Sequence, residues 1–328
     1  MNEIIEYNPQ PLNMVVENPV EQKDNFIVAN TEVVSLEHLK NECITPMFTK
    51  DYEVTISHFQ FIDEVQKSID SLMGDLKVAE PQIRVSHVIK GRIPSAIRKP
   101  VKELLENEKT RYYERCAFTI DIPEFSNVIA DSKLSLSIGG VRAYNQENLY
   151  STKSMEKFKL FIGFKNSVCT NMCISTDGLL SSVRVSSIDE LGSKAKELIQ
   201  SYEAEEHFNQ LKSFADYKIT EKQFTYLIGK LRMLPYLKKE QHKHVFISSI
   251  SDSQASNIIK DYHLDENFKK EDNGDISLWN LYNLLTEANK SSYIDKNFER
   301  NVNCYEFVKH LENALKNDIS CWYLNLMS

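Results

Sequence analysis

The sequence predicts an α+β protein: a strand-rich, mainly antiparallel N-terminal half followed by a helical C-terminal half. Three observations predict it. Several stretches between residues 83 and 185 alternate apolar and polar residues, which puts the apolar set on one face of a strand. After residue 187 the apolar period changes to that of a helix. The connections between the strand signals are short, as antiparallel neighbours allow and parallel crossovers do not.

The chain divides accordingly. Residues 1–30 are polar, hold Pro9, Pro11 and Pro19, and read as an extended or disordered arm. Residues 31–187 form the strand-rich region and 188–328 the helical one, either as separate units or on one shared core. Tyr52, Val54, Ile56 and His58 alternate as a first strand. Phe61, Val65, Ile69, Leu72 and Met73 then recur at helical spacing, and Gly74 ends that helix. Ile83, Val85, His87 and Ile89 alternate as a strand, with His87 read as a core histidine. Lys90, Arg92, Arg98 and Lys99 follow in a loop without an acid, marked by Gly91 and two prolines. Pro100 opens a helix that buries Val101, Leu104 and Leu105. Cys116–Ile122 and Leu134–Ile138 alternate as strands, and Gly139-Gly140 reads as a bulge or turn.

The densest apolar run is Lys157–Gly178. Phe158, Leu160, Ile162 and Phe164 share one strand face, while Lys157, Lys159, Phe161, Gly163 and Lys165 share the other. Val168–Ser175 alternates again, so the two strands read as a hairpin with one wet face. The helical half opens with Ile188, Leu191, Leu198, Ile199 and Tyr202. Thr220 and Gln223 make a capping box ahead of the stripe Phe224, Leu227, Ile228, Leu231 and Leu234. Ala255–Tyr262 is a short helix, Asp275 caps the stripe of Leu278, Leu281, Tyr282 and Leu285, and Asn303 with Glu306 caps the last helix. Trp322 packs the tail onto the core.

Composition narrows the function classes. The 328 residues are 41% hydrophobic and 26% charged, ordinary for a globular protein. No run of 18 apolar residues occurs, so no membrane partner is expected. The opening MNEIIEYNPQ lacks the pattern of a secretory signal, and the reading places the protein in the cytoplasm. Its six cysteines are sparse and read as reduced thiols. Cys169 and Cys173 are the one close pair, and without a second pair they make no zinc site. The run Glu271–Asp275 fails as a calcium loop, because Lys269 and Asn280 fall where carboxylates are needed. Neither a P-loop nor a dinucleotide fingerprint is present, and no cofactor is expected.

The net charge of −8 is unevenly placed. Residues 1–80 carry −10, 82–115 carry +5, 212–244 carry +5 and 245–328 carry −5. A basic middle suits an anionic partner such as DNA or RNA. The candidate contacts are Arg84, Lys90, Arg92, Arg98 and Lys99 for phosphate, with Lys159, Phe161 and Lys165 as a stacking and charge surface. Solvated loops and strand faces account for the same residues. A protein-interaction module is the alternative, borne by the acidic arm and the helical half. An enzyme would draw on Asp121, Glu124, Asp131 and His87, whose spacing matches no recognised catalytic pattern.

The segment LFIGFKNSVCTNMCISTDG, Leu160–Gly178, resembles the signature of an uncharacterised family from Bacteroidetes whose members have about this length and often lie near mobile genetic elements. Its Asn/Val/Cys/Thr/Asn portion is similar, more loosely, to a phage- and plasmid-associated domain of unknown function. The resemblance extends through Trp279 and Trp322. It implies a genomic setting and assigns no catalytic residue or ligand.

Overall fold

The computed structural model describes residues 25–43, 55–74, 76–96, 98–147 and 155–324. The first half supplies β1 (Glu32–Val33), α1 (Leu36–Asn41), α2 (His58–Met73), β2 (Gln82–Arg92), β3 (Lys109–Ile129), β4 (Ser132–Ala143), β5 (Glu156–Asn166), β6 (Met172–Cys173) and β7 (Leu179–Val185). The second supplies α3 (Ile188–Ser201), α4 (Ala204–Ser213), β8 (Lys218–Ile219), α5 (Glu221–Met233), α6 (Lys239–His242), α7 (Asp252–Leu264), β9 (Ile276–Ser277), α8 (Leu278–Asn289) and α9 (Ile294–Lys316). The protein is α+β. Strands β1 to β6 lie in sequence order in one antiparallel sheet, and β7 pairs with β5 beside β6. The β3–β4 turn is tight, whereas α1 and α2 lie between β1 and β2 and two 3₁₀ turns lie between 101 and 108 ahead of β3; all the pairings are antiparallel.

Both faces of this sheet are covered. On one, α2 lies against β3 and β4 and packs on α3. Phe61 of α2 meets Phe118 and Phe158 at ring-centroid distances of 5.0 and 4.7 Å. On the other, α9 runs over β3, β4, β6 and β7. Here the Phe298 ring packs tilted against Phe161 at 4.2 Å, joined by Phe26, Ile27, Val141 and Ile174. A single larger cluster links Phe61, Phe118 and Leu160 to Leu227, Trp279 and Leu311 across the two halves. Helix α8 is apolar on nearly all sides and accordingly buried, with Trp279 fully enclosed.

Several elements differ from the sequence reading, each for a local reason. Tyr52 and Val54 lie outside the described residues, and His58 opens α2 instead of ending a strand. Ser57 and Gln60 form a capping box there. Residues 1–24 of the polar arm are outside the described residues, while Phe26 and Ile27 at its end are buried. His87 is not a core residue. Its φ of +61° turns it out of the β2 pleat, and Arg115 Nη1 donates to its Nδ1 at 2.6 Å. The helix expected after Pro100 is two single 3₁₀ turns, which leave Val101 and Leu105 exposed. Of the second hairpin strand only Met172–Cys173 is strand. Ser277, not Asp275, caps α8. Helix α9 begins at Ile294, so Asn303 sits within it; its N-cap, Tyr293, contributes no side-chain cap.

Gly139 and Gly140 are not a bulge. The ladder runs through them unbroken, pairing Phe118 with Gly140 and Gly139 with Phe161. They are needed for close approach: a Cβ on Gly140 would stand 2.5 Å from Phe61 Cζ. Gly140→Ala is expected to cost about 1–3 kcal/mol by overpacking, read as a lower urea midpoint with unchanged slope. An unshifted midpoint would show that both Phe61 and the Lys159 carbonyl, 2.6 Å from that Cβ, have room to move.

Candidate nucleic-acid interface

At one end the β2–β3 ladder extends past both of its neighbours. It runs from Gln82↔Thr119 to Arg92↔Lys109. On one side β1 pairs no further than Val85, and on the other β4 stops at Arg115. Val88–Arg92 and Lys109–Tyr113 therefore continue as a two-stranded ribbon, met at one edge by the Cys43–Arg111 bridge. Its base is anchored. Tyr112 packs edge-on against Tyr144, and the Tyr113 hydroxyl lies 2.9 Å from His38 Nε2. Its tip, residues 93–108, is closed by the bond from Ile93 N–H to the Glu108 carbonyl at 3.0 Å, over a fully buried Ala96.

Residues 90–111 hold seven basic side chains and three acidic ones, so 22 residues carry +4 while the rest of the chain carries −12. Lys90, Arg98, Lys99, Lys102, Lys109 and Arg111 are exposed. Lys99 pairs with Glu108, and Lys109 Nζ lies 2.5 Å from Glu106 Oε1. These hydrogen bonds hold both glutamates below the usual carboxylate range. Arg92 donates to the Lys99 carbonyl across the ribbon. The ribbon brings together Lys90, Arg92, Arg98 and Lys99 of the predicted contacts. Lys102, Lys109 and Arg111 join them here; a loop over 90–100 does not reach these three, and their signal in the sequence is the basic excess across 82–115.

The other four predicted contacts are elsewhere and occupied. Arg84 is buried. Its Nε donates to Thr31 Oγ1 at 2.9 Å and its Nη1 to Asn25 Oδ1 at 3.2 Å, while burial lowers its pKa. Phe161 is 0% exposed beneath Phe298. Lys165 is 4% exposed, with Nζ 2.8 Å from Asp121 Oδ2 and 2.6 Å from Gln82 Oε1. Lys159 Nζ lies 2.9 Å from Glu299 Oε1. The expected wet face of β5 is thus an interior face. Helix α9 packs on it, and Lys159 and Lys165 end on carboxylates of α9 and β3, while Lys157 donates to the Gln146 carbonyl. The four residues considered for catalysis do not converge. Asp121 is bound to Lys165, and Glu124 accepts from Lys77 N–H at 3.1 Å. Asp131 stands in the β3–β4 turn at φ +66°. Asp121 lies seven residues along β3 from Glu114, the neighbour of His87, roughly 23 Å at strand rise.

Residues 10–324 match the family described as "Domain of unknown function, B. Theta Gene description (DUF3871)". The chain belongs to this family. No curated protein and no solved structure matches it.

In this DUF3871 chain the Asn166–Asn171 stretch is a clamp. Thr170 N–H bonds to the Asn166 carbonyl at 2.8 Å, and Asn166 N–H to the Asn171 carbonyl at 3.0 Å. Thr170 adopts φ +56°, a strained conformation for a β-branched residue. The loop is held from α8: Asn166 Nδ2 donates to Asn283 Oδ1 at 3.0 Å, Asn171 Nδ2 to the Asn283 carbonyl at 2.9 Å, and Lys290 to the Cys169 carbonyl. A cleft of about 310 Å³ lies beside it, but its acids are engaged. Glu287 lies 2.8 Å from Lys290, and Asp265 accepts from Asn267 and Phe268 N–H. Burial pushes the Cys169 thiol up to about 12, so it is a packed group and not a nucleophile. Among the described residues of this DUF3871 chain no cluster of three or more His, Cys, Asp or Glu could hold a metal, and no helix is long and apolar enough to cross a membrane.

Proposed function

We propose that the protein is a non-enzymatic nucleic-acid-binding protein of the cytoplasm, with the β2–β3 ribbon as its contact surface. The observation that carries this reading is a two-stranded ribbon that, with its tip, carries +4 on a chain of charge −8. A two-stranded ribbon fits the major groove of B-DNA, and its lysines and arginines displace counterions from phosphates. The acidic remainder favours the ribbon over other surfaces by repelling the same polyanion. The setting near mobile elements that the family resemblance implies accords with a DNA or RNA ligand.

The test is fluorescence anisotropy with labelled single- and double-stranded DNA and RNA at about 50 and about 200 mM salt. Wild-type binding is expected to weaken steeply with salt. The Lys90→Ala/Arg98→Ala/Lys102→Ala variant, altered only at exposed positions, is expected to bind about 10- to 100-fold more weakly and to show a salt slope lower by about 3. Absence of binding at low salt, or an unchanged variant, would overturn the reading.

A further inference from the structure

Between the outer face of the sheet and the start of α9 runs a slot of about 260 Å³. Lys157 and Lys159 of β5 form its floor, Ser181 and Ser182 of β7 one wall, and Asp295 and Lys296 of α9 the other. Its acids are paired, although Glu299 is itself exposed. Gln146 Nε2 donates to Asp295 Oδ2 at 2.9 Å, Arg115 Nε stands 3.6 Å from Asp295 Oδ1, and Lys159 pairs with Glu299. Lys157 Nζ meets only a neutral acceptor, the Gln146 carbonyl at 3.0 Å, and Lys296 is exposed. The slot therefore keeps positive charge beside two exposed hydroxyls.

Tyr293 stands two residues before Asp295 and is 62% exposed. The Arg115 guanidinium lies over its ring, 6.0 Å from the centroid. Arg115 lies in the sheet just below the ribbon, opposite Ser86, bonded to His87 and paired with Glu114 at 3.2 Å. Through Arg115, which touches His87, Tyr293 and Asp295, the foot of the ribbon, Tyr293 and the slot line up as one track.

We infer that this track takes a single-stranded nucleic acid, with an unpaired base on the open face of Tyr293 and an adjoining phosphate at Lys157 and Lys296. The inference rests on the nucleic-acid reading of the ribbon and adds beside it a site for unpaired strand. An aromatic face next to cations binds unpaired bases of any sequence, and a duplex offers its bases only at the ends.

The experiment compares the full-length wild type, Tyr293→Ala, Tyr293→Phe, Lys296→Ala and the ribbon variant. The probes are a 2-aminopurine-bearing single strand and the same strand in duplex. Tyr293→Ala is expected to lose about tenfold in single-strand affinity and the stacking quench of 2-aminopurine, with duplex binding unchanged. Tyr293→Phe keeps both. Lys296→Ala weakens single-strand binding and reduces its salt slope by about 1. If Tyr293→Ala binds and quenches as the wild type does while the ribbon variant loses binding, the slot is not the site and the ribbon reading stands. If Tyr293→Ala loses binding and the ribbon variant does not, the slot stands and the ribbon reading falls. If the wild type binds neither probe, both fall.

Discussion

Arg142→Ala is expected to destabilise the protein by about 3–5 kcal/mol, among the largest effects of any single substitution here. Arg142 is 0% exposed. Its Nε lies 3.1 Å from Glu147 Oε1, its Nη2 reaches Glu147 and Glu156, and its Nη1 donates to the Ile56 carbonyl. The guanidinium lies 4.3 Å from the ring centroid of Tyr144 and 4.5 Å from that of Phe158. Truncation leaves two carboxylates in a low-dielectric site with no counter-charge. Burial already raises the Glu156 pKa, and Arg142 is the main group opposing it. Removing Arg142 raises it further. A carboxyl whose folded pKa exceeds its unfolded value loses stability as pH rises, so the penalty is larger at pH 7 than at pH 5. Urea denaturation at both pH values measures this. A variant within 1 kcal/mol of the wild type at pH 7 would mean that water or another cation replaces the guanidinium.

Stability is also expected to fall on acidification before the carboxylates titrate. Burial lowers His58 and His207 from 6.5 to about 3 each. His58 is enclosed under Tyr144 with Nε2 2.7 Å from the Tyr113 carbonyl, and Arg142 adds repulsion to its charged form. His207 is packed among Phe164, Tyr202 and Tyr305. Between pH 6.5 and 3 the unfolded chain binds these two protons and the folded chain does not, so stability falls as pH drops through that window. At pH 4.5 the loss is about 3 kcal/mol per histidine. Denaturant midpoints from pH 7.5 to 4.5 should therefore decline, and His207→Gln should flatten the decline by about half. A midpoint constant down to pH 5 would show that both rings are protonated in the folded state.

What was legible in the sequence was local. The Thr220–Gln223 box and its stripe mark α5, which runs Glu221–Met233. The stripe from Phe61 marks α2, and strict alternation marks β5. What was not legible depended on distant partners. Lys159 and Lys165 read as a solvated face because Glu299 and Asp121 are 140 and 44 residues away. The start of α9 has no side-chain cap at Tyr293, so no local signal marked it. The ribbon read as a loop because Gly91 looked like a breaker, whereas it pairs with Thr110. Tyr293 and Arg115 come together only once α9 is laid across the sheet.

Because α9 comes last among the helices and covers the second sheet face, the strands are synthesised well before their shield. A nascent chain on the ribosome shows Val141, Phe161 and Ile174 to solvent until residues 294–316 have emerged. Exposed strands of this composition are prone to aggregate, so the period between translation of β7 and of α9 is when the chain most depends on chaperones or on speed.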